Sequence, residues 1–466
     1  MLFSSIPFLY YFLPIVLILY SITPKALKNT VLLLVSLVFY AWGEPMYVFL
    51  MIATIALGYI FGLLIDRFRG KPLAKVFLFL SATSSLLALA YFKYADFFIE
   101  NFNRVTGLSV PLFRLALPIG ISFYTFQILS YTVDVYRGTV NVQKNPVNLA
   151  TYVALFPQLI AGPIVRYSDI EIQLTSRSHS FDKASDGIRR FIFGLSKKII
   201  LANSLGELCD AFHLSADKSV AFFWLFAFCY MLQVYFDFSG YSDMAIGLGK
   251  FFGFEFMENF NYPFISSSIT EFWRRWHISL GSWFRDYVYI PLGGNRVKRL
   301  RLFFNIFVVW FLTGFWHGAE WNFIIWGLYF GILLTIEKFF MSDLFKKHKI
   351  LSHVYVIFFT AISFVIFSAD NLTSALSYAG GMFGLGGIPL ASAEWLYYLR
   401  SYGVILAVGI VSATPLVKIA VNRLKQIRTA ANIINFLEIP VLIGLLILCT
   451  AYLADGSFNP FLYFRF

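Results

Sequence analysis

The chain has 466 residues, of which 59% are hydrophobic and only 13% are charged. Soluble domains carry roughly a quarter charged residues, so the composition excludes an ordinary water-soluble enzyme and indicates that lipid is the main solvent. The formal net charge of +12 does not indicate nucleic-acid binding, because the basic residues lie in short loops between apolar runs and form no soluble basic face interleaved with aromatic residues.

Apolar runs recur along the whole chain, and a membrane span needs about 20 mostly apolar residues. Candidate spans lie at 6–22, 29–42, 45–65, 76–94, 115–135, 148–166, 190–207, 218–236, 302–316, 321–338, 351–368, 395–413 and 433–453. We predict about 11 full spans, with tilted or re-entrant segments at 115–135 and 190–207. The first run lacks a basic n-region and an A-x-A-like cleavage site, so we read it as a retained span. Without an internal repeat or a flexible linker, residues 1–466 form one predicted polytopic domain.

The positions of the basic residues predict the orientation of the chain. Basic clusters occur at 25–28, 67–75, 296–301, 338–349 and 418–428. Short loops rich in Lys and Arg stay in the cytoplasm. Threading the spans accordingly puts 23–28, 66–75, 339–350 and 414–432 inside. The same threading puts 96–114 and both termini outside.

Two polar insertions interrupt apolar runs in the middle part of the chain. In LFPQLIAGPIVRYSDI, residues 155–170, Pro157 and Gly162 break a span. In VYFDFSGYSDMAIGLGKFFGFEF, residues 234–256, Asp237, Ser239 and Asp243 stand among glycines. We interpret this second segment as a helix-breaking elbow whose aspartates hold backbone or arginine groups, with glycines that allow close helix packing. Non-helical backbone at membrane depth must be buried in protein or line a cavity, so the pattern predicts an internal chamber.

A third polar segment is SSSITEFWRRWHISLGSWFRDYVYIPLGGNR, residues 266–296. Ser268 and Glu271 fit a capping box, so a helix should start at 268. We expect this helix to continue through His277, with Trp273 and His277 as i,i+4 neighbours. A helix of such mixed polarity either lies at the membrane interface or lines a wet cavity. For His277 a structural hydrogen bond and a functional role both remain open.

A second histidine stands in WFLTGFWHGAEWNFIIWG, residues 310–327, among four tryptophans. Ionisable groups at membrane depth are expensive and mark functional sites. Gly318 and Ala319 should leave space beside the ring of His317. Three roles remain open for it: general base, proton relay or packing residue. No GxSxG, Walker or HExxH motif occurs, and the three cysteines show no metal-binding spacing, so we predict no metal site.

The segments FWRRWHISLGSWFRDYVYIPLGGNR, FWHGAEWNFIIWG, YFDFSGYSDMAIGLGKFFGF and LFPQLIAGPIVR, with the opening MLFSSIPFLYYFLP, resemble the membrane-bound O-acyltransferase family. The resemblance covers nearly the whole chain and is strongest to the bacterial branch of alginate and peptidoglycan O-acetylation proteins, with the teichoic acid D-alanyl transfer protein as a cousin. It implies an all-α, polytopic integral membrane protein whose helices form a ring around a central funnel. It also implies that His317 is the family's invariant active-site histidine and that His277 takes a second, more variable polar position. The family often carries F-R-A where this chain has FSAD, with Ser368 in place of arginine.

The function implied by the resemblance is acyl transfer with His317 as general base. Acetyl-CoA on the cytoplasmic side is the expected acyl donor, with no bound cofactor, and the acceptor is a hydroxyl of an extracytoplasmic polysaccharide. The expected partners are that polysaccharide, the lipid bilayer of the bacterial cytoplasmic membrane, and an accessory esterase-like protein outside. Residues expected to stabilise the oxyanion or contact substrate are His277, Trp316, Asn322, Arg274, Asp237 and Ser239.

Three rival functions remain. D-alanyl or other acyl transfer to an envelope polymer uses the same chemistry. A proton-coupled transporter would use His317 as a relay, but transporters usually show two related halves, which this sequence lacks. A non-catalytic scaffold of an export complex would tolerate His317→Ala.

Overall fold

A computed structural model describes residues 2–456, apart from the side chain of Ser342. All regular secondary structure in this range is helical. The chain divides into two compact units, Met1–Phe191 with Ser242–Met257, and Ile192–Tyr241 with Glu258–Phe466. The single polytopic domain over 1–466 stays a prediction.

The first unit is built from short and long helices that precede residue 191. They are α1 (Leu13–Ile22), α2 (Lys28–Gly43), α3 (Tyr47–Arg67), α4 (Pro72–Thr106), α5 (Ile121–Arg137), α6 (Pro146–Ala154), α7 (Phe156–Leu159), α8 (Tyr167–Thr175) and most of α9 (Phe181–Ser196). Helix α5 is buried at nearly every position. Its polar residues therefore face protein and not lipid.

The second unit contains the segments with both histidines. Its helices are α10 (Asn203–Leu214), most of α11 (Val220–Phe251), α12 (Ile269–Arg275), α13 (Ile278–Phe284), α14 (Arg299–His317), α15 (Trp321–Ile336), α16 (Ser342–Lys347), α17 (Lys349–Ser368), α18 (Leu372–Gly381), α19 (Ala393–Ser412), α20 (Leu416–Leu424) and α21 (Arg428–Ala454). A π-helical segment, Lys197–Ala202, joins α9 to α10.

Nine helices in the described range are long and apolar enough to cross a membrane. They are Lys25–Gly43, Tyr47–Arg67, Pro72–Thr106, Val220–Phe251, Arg299–His317, Trp321–Met341, Lys349–Ser368, Ala393–Ser412 and Arg428–Ala454, and a shorter apolar helix covers Phe8–Ile22. The chain is thus an all-α, multi-pass membrane protein, as predicted. Nine is fewer than the expected number because 115–135, 148–166 and 190–207 contain no helix that meets these limits; Leu155, outside both α6 and α7, interrupts 148–166.

The elbow predicted at 234–256 is wrong, because α11 runs unbroken for 32 residues. Its glycines serve close packing instead. In the second unit a Cβ on Gly240 would lie 2.7 Å from the carbonyl oxygen of Gly194. The aspartates do bind cations: in the first unit, Arg190 donates from Nε and Nη2 to Asp243 at 2.9 and 2.8 Å. Side-chain ion pairs and close helix contacts thus compensate for polar residues that would otherwise interrupt the helix.

Helices α14 and α15 pack so closely that only glycine fits at their crossing. A Cβ on Gly314 would clash with the carbonyl oxygen of Phe323, and one on Gly327 with the carbonyl oxygen of Trp310. The close crossing fixes the last turn of α14, which ends at His317. The position of this histidine is therefore set by rigid helix packing, which is the arrangement that a catalytic side chain requires.

Candidate active site

His317 is the last residue of α14 and its side chain lies in an aromatic cluster. The imidazole centroid is 4.9 Å from Trp316, 5.0 Å from Trp326 and 5.4 Å from Phe367, with the rings close to perpendicular. The residue is 9% exposed. The space expected beside Gly318 is filled, because a Cβ there would clash with the ring of Phe323. The ring is thus confined by aromatic neighbours while a small part of its surface stays accessible.

His277 does not continue a helix, contrary to the prediction. Helix α12 ends at Arg275 and α13 begins at Ile278, and His277 between them is left-handed with φ 45° and ψ 52°. Such a conformation costs on the order of 1–3 kcal/mol for a residue other than glycine, and it concentrates at functional sites. The expected i,i+4 relation between Trp273 and His277 is therefore absent.

The break has a physical cause in the preceding loop, which offers the backbone alternative hydrogen bonds. The amide of Ile278 donates to the carbonyl of Asn259 at 3.0 Å. The amide of Asn261 donates to the carbonyl of Arg275 at 2.9 Å. These bonds satisfy backbone groups on both sides of the break, so the chain turns there without burying unsatisfied amides.

The start of α12 was predicted correctly, although its capping differs from a simple box. Ser268 accepts the amide of Glu271 at 3.0 Å. The Glu271 carboxylate accepts from the amide of Ser267 and not from Ser268. The buried carboxylate of Glu337 takes the amides of Ile269 and Thr270, at 2.5 and 3.0 Å. Helix α12 is thereby fixed to the end of α15.

The two histidines contact the same tryptophan. The His277 centroid lies 6.1 Å from Trp316, whose own centroid is 4.9 Å from His317. Phe238 of α11 packs edge-on against His277 at 4.7 Å. His277 is 1% exposed, and this burial lowers its pKa to about 3, so the imidazole is neutral at physiological pH. The structure therefore brings His277, Trp316 and His317 into one cluster.

Asn322 and the FSAD segment lie beside this cluster. Asn322 is fully buried and its Nδ2 donates to the carbonyl of Ala369 at 2.8 Å. Ser368 donates through Oγ to the carbonyl of Val365 at 2.8 Å, a bond within its own helix. Phe367 supplies the contact with His317. Ser368, which stands where the family often has arginine, therefore bonds to the backbone of its own helix.

Asp237 and Ser239 flank Phe238, the residue that packs on His277. The Asp237 carboxylate pairs with Lys198 Nζ at 2.6 Å, and these side chains are 4% and 3% exposed. Ser239 is buried, and its Oγ has no hydrogen-bond partner among residues 2–456. The predicted role of both residues in substrate binding remains a prediction.

Arg274 lines a cavity of about 1080 Å³ in the second unit. The basic side chains on its wall are Arg274, Arg285, Lys338, Lys346 and Lys349, and the acidic ones are Glu271 and Glu337. Asp286 partly neutralises Arg285, and Asp343 partly neutralises Lys346. Of these residues only Arg274 was predicted from the sequence, although the basic cluster at 338–349 was a usable signal for the three lysines.

A chain of aromatic side chains lies between this cavity and His317. Trp310 lines the cavity and its centroid is 4.7 Å from Trp273. Trp273 is 5.7 Å from Trp326, which in turn contacts His317. Within residues 2–456 there is no group of three His, Cys, Asp or Glu side chains that could hold a metal ion. The groups available for chemistry at this site are therefore the imidazoles, the indoles and the charged side chains of the cavity.

Comparison of the sequence with known proteins identifies the class of enzyme to which this multi-pass helical chain belongs. The sequence model of the membrane-bound O-acyltransferase family matches residues 139–379. The chain belongs to this family and is an O-acyltransferase, as the motifs predicted.

Three relatives show the range of the match. The probable alginate O-acetylase AlgI of Azotobacter vinelandii is 41% identical over an alignment of 499 positions, which covers 100% of both chains. The peptidoglycan O-acetyltransferase of Helicobacter pylori is 36% identical, with 84% of this chain and 81% of the relative covered. The teichoic acid D-alanyltransferase of Bacillus subtilis is 31% identical over 55% of this chain and 70% of the relative. The predicted resemblance to the bacterial O-acetylation branch is confirmed.

Proposed function

We propose that the protein transfers an acetyl group from cytoplasmic acetyl-CoA to a hydroxyl outside the membrane, with His317 as the general base. The observation that carries the proposal is the basic cavity, which aromatic side chains connect to His317. A basic cavity that a chain of aromatic contacts joins to a buried imidazole suits transfer from a thioester of coenzyme A, whose phosphates the cations would bind.

The charge and size of the cavity support this donor. Coenzyme A carries a diphosphate and a further phosphate, and the cavity wall carries five cationic side chains. Ligand pockets commonly enclose about 300–1,000 Å³, and this one encloses about 1080 Å³. The lining residues Asn295, Lys346 and Lys349 lie next to or within the loops that we predict to be cytoplasmic, the side on which acetyl-CoA is made.

The thioester arm would have a short path to the base. Trp310 precedes His317 by about two turns of α14, which is roughly 10 Å at 1.5 Å per residue. The indoles of Trp273 and Trp326 lie along the same route. Aromatic walls exclude water, which favours transfer of the acyl group to the acceptor over hydrolysis of the thioester.

In the proposed reaction the acceptor oxygen attacks the thioester carbonyl carbon while His317 takes the hydroxyl proton. The carbon–sulfur bond then breaks, and the leaving thiolate takes the proton from the imidazolium. General-base catalysis contributes on the order of 10²–10⁴ in rate. The indole N–H of Trp316, between the two imidazoles, is the proposed donor to the developing oxyanion.

The acceptor follows from the relatives. Because two relatives are named as an alginate O-acetylase and a peptidoglycan O-acetyltransferase, we propose an extracytoplasmic polysaccharide as the acceptor for this chain. An esterase-like accessory protein would pass on the acetyl group. The proposed location is the bacterial cytoplasmic membrane with the N-terminus outside. D-alanyl transfer to an envelope polymer is the second candidate, favoured by the Bacillus subtilis relative.

Charge reversal in the cavity tests the donor. The variants Arg274→Glu and Lys346→Glu in proteoliposomes should raise the KM for acetyl-CoA about tenfold, the scale of one charge-assisted hydrogen bond. The control is Lys425→Glu, an exposed basic residue of another loop, which should leave KM unchanged. An unaltered KM in both cavity variants would exclude the cavity as the donor site, and activity with a D-alanyl thioester alone would favour the second candidate.

A further inference from the structure

The side chain of Asn259 makes contacts that determine which nitrogen of His277 carries the proton. Asn259 Oδ1 lies 3.2 Å from the backbone nitrogen of Ser279, 2.8 Å from Ser279 Oγ and 3.2 Å from His277 Nδ1. Asn259 is 1% exposed. Its backbone carbonyl also accepts a hydrogen bond from the amide of Ile278, so Asn259 contacts the three consecutive residues 277–279.

The chemistry of these groups leaves one assignment. The backbone N–H of Ser279 can only donate, so the asparagine atom that faces it must be the oxygen. The Ser279 hydroxyl also lies 3.4 Å from His277 Nδ1, but it donates its one proton to Asn259 Oδ1 at the shorter distance of 2.8 Å and so can only accept from the ring. An amide oxygen can only accept as well, so the His277 Nδ1 that faces both oxygens must carry a hydrogen. Since the buried imidazole is neutral, Nε2 then holds a lone pair.

Nε2 is buried and has no hydrogen-bond partner among residues 2–456. Most buried side-chain polar atoms have such a partner, and an exception needs an explanation. The exception occurs on a residue with a left-handed backbone whose ring contacts Trp316, the tryptophan that His317 also contacts. A catalytic role for the lone pair would explain why the protein retains both features.

We infer that Asn259 is a positioning residue that locks His277 in its Nδ1–H tautomer, so that Nε2 accepts a hydrogen bond from the bound substrate. The inference rests on the proposed function. It also changes the expectation that His277 stabilises the oxyanion, because a neutral His277 in this tautomer accepts a hydrogen bond at Nε2 and does not donate one. The substrate group must be a hydrogen-bond donor, either a hydroxyl of the acyl acceptor or an amide N–H of the thioester arm.

Nuclear magnetic resonance of protein with ¹⁵N-labelled histidine in lipid bilayers tests the tautomer without any assay of turnover. The His277 signals are those that His277→Gln removes. We expect a protonated Nδ1 and an unprotonated Nε2 in the unaltered protein and in Asn259→Asp, whose carboxylate can accept the same bonds. Asn259→Ala should give a mixture or the opposite tautomer. An Nε2–H tautomer in the unaltered protein, or a tautomer unchanged in Asn259→Ala, would overturn the inference.

Kinetics identify the substrate group. Asn259→Ala should lower kcat about tenfold to hundredfold, the scale of misplacing a catalytic group, and Asn259→Asp should restore part of the loss. A raised KM for the acceptor points to the hydroxyl, and a raised KM for the thioester points to the amide. The control Asn305→Ala removes another fully buried asparagine, which bonds to the carbonyl of Gly294, and should retain activity.

The two proposals fail in different ways. If the unaltered protein transfers no acyl group from any thioester, the proposed function is wrong, and the substrate role of Nε2 falls with it while the resonance data still report the tautomer. If the protein is active and Asn259→Ala keeps full kcat, only the positioning role is wrong.

Discussion

The ion pair between Lys198 and Asp237 separates a structural role for Asp237 from the predicted role in substrate binding. Both side chains are almost completely buried, at 3% and 4% exposure, and their charged atoms are 2.6 Å apart. The change Asp237→Asn keeps the shape of the side chain and removes its charge. The Lys198 ammonium then loses the carboxylate that compensates for its burial.

The structure sets the expected magnitude. Removal of one partner from a buried ion pair destabilises a protein by about 3–5 kcal/mol, whereas replacement of both partners by apolar residues of similar volume is often neutral or stabilising. Asp237→Asn should therefore lower the free energy of unfolding by about 3–5 kcal/mol. The double variant Lys198→Met with Asp237→Leu should recover most of this loss.

Chemical denaturation in detergent micelles measures the stability of the three proteins, and acetyl transfer in proteoliposomes measures their activity. A structural ion pair predicts that the double variant is stable and active. A stable double variant without activity would mean that Asp237 acts on substrate. A single variant as stable as the unaltered protein would refute the reasoning about the buried charge.

Two further predictions concern the histidines and the topology. Because His277 and His317 contact one tryptophan, the losses of activity caused by substituting each histidine should not add. His277→Ala should reduce turnover less than His317→Ala does. The double variant should lose little more activity than His317→Ala alone. Losses that sum in free energy would place the two rings in separate environments. Single cysteines at 66–75 should resist an impermeant maleimide added to intact cells, and those at 96–114 should react, against a background of three buried native cysteines. Labelling of 66–75 from outside would overturn the predicted topology.

Much of the fold could be predicted because lipid imposes one strong rule, that spanning segments are long apolar helices. The helices at 47–67, 349–368 and 428–454 follow directly from apolar runs. The rule fails where a helix is surrounded by protein. Helix α5 and the short helices α6 and α7 are buried in the first unit, so hydropathy alone could not separate them from spans.

The polar segments show a second limit. The glycines and aspartates of α11 indicated a break, but the compensating partners are distant in sequence: Gly194 lies 46 residues before Gly240, and Lys198 lies 39 residues before Asp237. The opposite error occurred at His277, where helical periodicity predicted continuity. Backbone hydrogen bonds from Ile278 to Asn259 and from Asn261 to Arg275 produce a turn there instead. In both cases long-range contacts override the local preference.

Part of the candidate site could be predicted from the sequence. The aromatic setting of His317 and its proximity to Trp316 could be anticipated from adjacent residues. The role of Asn259 could not, because asparagines in loops are common and the geometry that fixes the imidazole tautomer exists only after folding.

Acetyl transfer by the purified protein with His317 altered tests the acyltransferase account most directly. The assay follows the acceptor-dependent release of labelled acetyl from acetyl-CoA in proteoliposomes, for the unaltered protein, His317→Ala and the exposed-histidine control His348→Ala. We expect His317→Ala to lose on the order of 10²–10⁴ in rate with unchanged stability in detergent, and His348→Ala to retain full activity. Transfer at the unaltered rate by a folded His317→Ala protein would contradict the account.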